Sequence, residues 1–190
     1  MGHKNFGTKA WLQPMPVAII GTYDENGKAN AMNAAWVGQW DFTQICISLS
    51  KHVTTDNIDK TGAFTVALAD VKNVVAADFV GIVSGKKDPD KMKKAGFCIE
   101  KSEFVNAPVF TNFPITLECK VAEILNPSKE GGYNLIGEIV NVRCDEEYLN
   151  AEGEPDMDKM KLISYDSIGN KYRVIGEVVG EAFKDGSKLK

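Results

Sequence analysis

Two stretches of this 190-residue chain bring together side chains suited to holding a ligand. The first is Asn30-Ala31-Met32-Asn33-Ala34-Ala35-Trp36. Small residues and amides are unusual in a strand, where Val, Ile and Thr are favoured. Small side chains let a flat ring lie against the backbone, whose N–H and C=O groups read its edge, and Asn33 adds both a donor and an acceptor. The same run reads equally as a strand packed tightly on a helix, with Trp36 in the core. The second stretch runs from Ser48 to Ile58 and holds Ser48, Ser50, Lys51, His52, Thr54 and Thr55 between a strand end and a helix start. Helix N-terminal N–H groups, joined by hydroxyl and ammonium donors, make a phosphate cradle. Alternatively, Thr54 or Thr55 merely caps the helix. A third group, Lys91, Lys93 and Lys94, is either a solvated face or a set of cations that closes over a phosphate from a loop.

Side-chain catalysis has little to work with. The chain has no G-x-G-x-x-G, no G-x-x-x-x-G-K-[ST] and no G-x-S-x-G, and its only histidines are His3 and His52. That scarcity points to a borrowed reactive group. Cys46, Cys98, Cys119 and Cys144 form no CxxC or Cys/His cluster, so neither zinc nor an iron–sulfur cluster is expected. Reduced thiols are the plain reading, with Cys98 open as a reactive or an inert one. The 22 basic and 26 acidic residues give a net charge of −4, which argues against nucleic acid or an anionic membrane as partner. Apolar runs such as Val17 to Ile20 fall far short of the roughly 20 residues a membrane span needs, and no apolar run follows the first lysines as a secretory leader requires. A cytoplasmic location is expected.

The elements that must position these residues follow from periodicity. Met15 to Thr22 is an apolar run closed by Tyr23-Asp24-Glu25-Asn26-Gly27, an Asn-Gly hairpin signal, and the return strand is predicted from Lys28 to about Val37. Gln44 to Ser50 alternates with period 2. A short helix from Thr54 or Thr55 ends at Gly62, a natural C′ residue. Ala63 to Ala69 is a strand and Val71 to Ser84 a helix. Lys86 to Lys94 is a loop leading into a short basic turn closed by Gly96. Strands are predicted again over Pro114 to Leu125, Asn134 to Asp145 and Tyr172 to Phe183, with a Gly-Gly turn between Asn126 and Tyr133. The sum is a mainly β chain with short helical inserts, read as one domain over 1–190 and as an antiparallel barrel.

Pro16-Val17-Ala18-Ile19-Ile20-Gly21-Thr22, G-x-x-N-x-M-x-x-A-W from Gly27 to Trp36, and Thr54-x-x-Asn57-Ile58-x-x-x-Gly62-x-Phe64 occur in this order. Asp90-Lys91-x-x-x-Ala95-Gly96-Phe97 and Tyr172-Arg173-Val174-Ile175-Gly176 follow. Together they resemble the flavin reductase-like FMN-binding proteins, the flavoredoxin branch in particular. The resemblance implies a split β-barrel that holds FMN non-covalently at a homodimer interface. It implies flavin-site positions at Asn30 and Trp36, a ring lining from Met32, Asn33, Ala34 and Ala35, and cofactor contacts from Ser48. It further implies phosphate contacts from Ser50, Lys51, Thr54 and Thr55, a lysine reaching the flavin at Lys91, and an aromatic neighbour at Tyr165. Where many relatives carry a histidine near the flavin, this chain has Tyr133 and Asn134. Three classes of function stay open on these grounds. One is a reductase fed by NADH or NADPH, another a carrier that trades electrons with a protein partner, and the third a non-redox FMN-binding relative.

Overall fold

The computed structural model describes residues 2–125 and 132–190. Its first strands are β1 (Met15–Pro16), β2 (Ala18–Tyr23), β3 (Ala29–Ala34), β4 (Val37–Asp41) and β5 (Gln44–Ser50). Helix α1 (Val53–Thr61), strand β6 (Ala63–Leu68), and helices α2 (Val74–Ile82) and α3 (Lys91–Ala95) follow. The later strands are β7 (Ile99–Lys101), β8 (Pro108–Phe110), β9 (Ile115–Leu125), β10 (Gly132–Cys144), β11 (Ile163–Asp166) and β12 (Lys171–Val174). The turn expected after Asn126 lies, from 126 to 131, outside the described residues.

Seven strands make one antiparallel sheet in the order β3-β2-β6-β9-β10-β5-β4, with a second sheet β1-β11-β12. The edges of the large sheet, β3 and β4, are consecutive in the chain and separated only by Ala35 and Trp36. Six strand spacings of about 4.8 Å would put flat edges about 29 Å apart, whereas three Cα steps span at most about 11 Å. The sheet must therefore curl until its edges meet. This is the mainly β barrel that the sequence pattern anticipates, and the split barrel that the resemblance implies. Its interior holds Ile20, Ile47, Phe64, Val66 and Leu135, while α2 and α3 cover the other face of β2 and β3 over Val17, Ile19, Val80 and Phe97.

The β2–β3 hairpin forms where Asn-Gly predicts it: Gly27 takes φ 75° and donates to Asp24 O at 3.0 Å. Gly62 closes α1 with φ 64°. Three expected spans are corrected. The return strand stops at Ala34 and resumes as β4, because from Val37 onward the chain pairs with β5 instead of β2. The Val71–Ser84 helix shortens to Val74–Ile82, since Asp70 Oδ1 takes up the Asn73 N–H and amide ahead of it. The last strand ends at Val174, where β12 runs out of partner residues on β11. Strands β1, β7, β8 and β11 carry no periodic signal, having two to four residues each.

Helix α1 is locked to the hairpin by two buried bonds. Asn57 Nδ2 donates to Thr22 Oγ1 and Asn30 Nδ2 to Thr54 Oγ1, each at 3.0 Å. Thr22 and Asn30 are direct cross-strand partners, and Thr54 and Asn57 lie three residues apart on one helix face. Among the described residues no helix is long and apolar enough to cross a membrane.

Gly137 sits at a register shift in β10, and a methyl group there would collide with the fully buried Phe64 ring. Gly137→Ala is expected to cost about 1–3 kcal/mol, read as a lower urea midpoint with an unchanged slope.

Candidate functional site

The site follows from the seam where the curled sheet closes. Ser48 N–H donates to Trp36 C=O at 2.9 Å, so the small-residue stretch and the hydroxyl-rich stretch meet directly. On one side of the seam lies a cavity of about 190 Å³, walled by Asn30, Met32, His52, Thr54, Ser84 and Lys91. A second, of about 300 Å³, adjoins it through Asn30, Val53, Gly85 and Lys91. On the other side an apolar groove of about 560 Å³ is lined by Leu12, Pro14, Ala35, Trp36, Trp40 and Ser48, among others.

Of the three lysines in the basic group, only Lys91 turns inward. It is 4% exposed, whereas Lys94 pairs with Asp88 at the surface. Lys91 Nζ donates to Ala31 C=O at 2.7 Å, and among the described residues no carboxylate pairs with it. Burial pulls its pKa down to about 8. A buried ammonium with unused donors and no counter-charge is costly unless an anion completes it. Thr54 adds to the same wall. Its hydroxyl accepts from Asn30, so its own hydrogen remains available to a ligand acceptor. His52 lies there too, its pKa lowered first by burial and then by the Lys91 charge. The loop that follows α2 is drawn over this corner by Lys28 Nζ to Pro89 C=O at 3.1 Å and by Lys86 with Asp56 at 3.1 Å. At Gly85 a Cβ would come within 2.8 Å of Asn30 Oδ1, so only glycine lets the backbone pass so close.

The other candidate residues are placed as follows. Met32 lines the cavity, while Ala35, Trp36 and Ser48 line the groove. Trp36 is 59% exposed, which removes it from the core. Ala34 is buried in the barrel interior. Asn33 donates to Ala77 C=O at 3.1 Å and packs against Gly81, so its amide holds α2 to β3. Ser50 and Lys51 are exposed at the end of β5. The Thr55 hydroxyl accepts from His52 N–H and donates to His52 C=O, at 3.0 and 2.8 Å, and so caps α1. Tyr165 packs on Tyr172 with ring centroids 6.1 Å apart and reaches Asn170. Tyr133 turns into the core and donates to Asp59 at 2.7 Å. Its neighbour Asn134 pairs with Ser48 in register and lines the groove. Sequence reasoning passed over His52, Ser84 and Gly85 as individual site residues, although His52 stood within the hydroxyl cluster. Among the described residues no three His, Cys, Asp or Glu side chains converge on a metal position.

Residues 12–162 match the model of the flavin reductase like domain. The chain belongs to that family. In structure it is similar to the flavoredoxin of Desulfovibrio vulgaris (Miyazaki F), at 32% identity over 97% of this chain and 100% of that one, with a TM-score of 0.91. It is also similar to the flavoredoxin from Methanosarcina acetivorans, at 28% identity over the whole of both chains, with a TM-score of 0.90. A curated protein from Aeropyrum pernix is 27% identical over 112 residues, which are 57% of this chain and 43% of that one. The chain thus spans less than half the length of that relative. Both flavoredoxins share the chain's fold, and the Lys91–Thr54 corner lies along the β3 edge of its large sheet.

Lys91 generates a test. The amine is charged below about pH 8 and neutral above, so inorganic phosphate, followed by tryptophan fluorescence, is expected to bind more weakly as pH rises through that window. Because the folded pKa lies below the ordinary 10.5, the unfolded chain holds the extra proton between the two values. Stability of the ligand-free protein therefore rises with pH over that range. Lys91→Met is expected to flatten both profiles. A phosphate affinity that stays constant with pH in the native chain counts against Lys91 as the anion's partner.

Proposed function

We propose that this protein is an FMN-binding flavoprotein that relays reducing equivalents from a nicotinamide or a protein donor to a small acceptor, such as free flavin or ferric iron, or to a protein. One observation carries the reading: a buried lysine without a carboxylate faces a small cavity beside a free hydroxyl donor, at the seam of a family fold named for flavin. That corner suits the dianionic phosphate end of a mononucleotide, and its small volume favours FMN over a dinucleotide. The likeness to two flavoredoxins supports the same choice.

On this reading Lys91 and Thr54 donate to the phosphate, with His52 beside them. Asn30 fixes the Thr54 rotamer and so acts as a positioning residue. Met32 supplies an apolar wall. The backbone from Ala34 to Trp36 and the Ser48 hydroxyl lie where the ring would follow, with Trp36 shaping the mouth. Ser50 and Lys51 stand at the exposed rim as further donors. FMN, when bound, supplies hydride and one- or two-electron chemistry. The chain contributes orientation, hydrogen bonds and exclusion of water from one side. Asn134 faces the groove where many relatives are expected to carry histidine. An amide both donates and accepts but holds no titratable proton, so Asn134 itself cannot deliver one. Two copies are taken to pair, as the resemblance implies. The free cysteines accord with a reducing, cytoplasmic setting. The broad exposed aromatic rim of Trp36, Trp40 and Phe42 favours a second reading, an electron carrier that docks protein partners without nicotinamide turnover.

Absorbance spectra of the purified chain mixed with FMN are expected to show a bound flavin. Anaerobic NADH or NADPH that bleaches it rapidly identifies a reductase. A flavin that bleaches only with dithionite identifies the carrier, and failure to bind FMN removes both. Thr54→Ala and Lys91→Met are each expected to weaken FMN about 10- to 150-fold, since a hydrogen bond to a charged group contributes about 1.5–3 kcal/mol. Thr55→Ala is expected instead to lower stability by about 1 kcal/mol through the lost cap, with FMN affinity little changed.

A further inference from the structure

Between α2 and α3 the chain runs along the Lys91 cavity as a strap, Val83 to Asp90, fixed at both ends. Ala77 and Val80 seat α2 in the core it shares with β3, and Phe97 anchors the chain behind α3. No residue from Val83 to Asp90 is buried, so no buried side chain of its own pins the middle. The strap's turn is bonded to itself. Lys87 and Asp88 N–H both donate to Ser84 C=O at 3.0 Å, and Lys91 N–H donates to Asp88 C=O at 3.2 Å. Among the described residues no backbone hydrogen bond joins the strap to α1 or to the β2–β3 hairpin. What holds it there is lysine. Lys86 pairs with Asp56 of α1 at 3.1 Å, both side chains more than half exposed, and Lys28 of the hairpin reaches Pro89 C=O at 3.1 Å. Glu25 and Lys60, which line the same outer cavity, pair with each other and leave Asp56 to Lys86. Exposed ties of this kind are individually weak and screened by salt.

The strap stands where a ligand must pass. The two cavities beside Lys91 share Asn30, Val53, Gly85 and Lys91 as walls, and Gly85 is the strap's own part of that boundary. Its backbone thus divides one hollow into two. The inner cavity, of about 190 Å³, is smaller than the roughly 300–1,000 Å³ usual for small-molecule sites, so it takes an anionic head and little more. Lys91 follows the strap directly, and its N–H bond to Asp88 makes the ammonium and the strap's last turn one unit. We propose that Ser84–Asp90 is a gate: it lifts from Asp56 and Lys28 to admit an anionic ligand to Lys91 and Thr54, then closes over it. Closure on an anion satisfies the donors that Lys91 leaves unused, so the loaded strap stays shut longer than the empty one. The inference rests on the reading of the Lys91 corner as an anion site and adds the route by which the anion enters.

Stopped-flow mixing of the full chain with FMN, followed by flavin fluorescence, separates a gate from a contact. A ligand that enters and leaves only through the open form gains both rates when a tie is lost. Lys86→Ala and Asp56→Asn are each expected to raise association and dissociation together by about 2- to 5-fold, the weight of one exposed ion pair. The dissociation constant is expected to stay unchanged. The double variant is expected to be no faster than either single one, since both remove the same tie, whereas Lys28→Met adds a factor of its own. Methyl acetimidate reads the same opening without ligand, through the rate at which the buried Lys91 is modified, with exposed Lys93 as internal control. Both single variants are expected to speed Lys91 by the same factor and to leave Lys93 unaffected. FMN rates that ignore the variants overturn the gate, and so does a variant that raises only the dissociation rate, which marks a direct ligand contact. A chain that binds no FMN but whose Lys91 labelling follows the variants keeps the strap and removes the cofactor reading. Labelling that ignores them in such a chain removes both.

Discussion

The link between Ala34 and Val37 is the constraint on which the rest of the molecule depends. It joins strands at opposite edges of a seven-stranded sheet with two residues between them. No flat or gently twisted sheet satisfies that connection, so closure follows from chain geometry as much as from burial. Curling creates an inside, which Phe64, Ile47 and Leu135 fill. It also creates a seam, where backbone from two edges is held in place without being committed to a continuous ladder. A seam of that kind offers a ligand fixed N–H and C=O groups at little cost to the sheet.

Beside the seam, polar groups are buried in a graded way. Asn57 with Thr22 forms a closed pair whose role is to hold α1. Asn30 with Thr54 makes the same bond one step nearer the cavity and leaves one donor over. Lys91 has, among the described residues, a single carbonyl partner for its three donors. Desolvation of that ammonium works against folding, and a structure serving stability alone would favour an apolar residue at 91. The retained charge is therefore the strongest physical sign of an anionic ligand. The neighbouring lysines, solvated and paired, show how little the residue type alone reveals.

How much of this the sequence displayed depends on the range of the interaction. The Asn26-Gly27 hairpin, the Gly62 stop and the alternation of β5 are local and were legible. The break at Ala35 and Trp36 was not, because the residues remain strand-compatible and only the distant closure of the sheet forces the chain to change partners. Thr54 and Thr55 looked interchangeable, yet helix geometry turns one hydroxyl toward Asn30 and the other back onto His52. The same parity separates Tyr133, which faces Asp59, from Asn134, which faces the groove. One residue of register decides such pairs, and register is fixed by long-range pairing that no local pattern states.

Two deficits of opposite kind now lie on the same seam. Lys91 needs negative charge beside a small cavity, and Trp36 with Trp40 needs apolar cover on a face open to water. A ligand with an anionic end and a flat, largely apolar ring would meet both demands only if it ran from the cavity across the seam toward the groove. It would then reach the exposed faces of Trp36 and Trp40. Whatever binds the paired form better than the single chain must also favour pairing by the same factor. Cofactor and partner would in that case be coupled through the short connection that closes the sheet, with no moving part required between them.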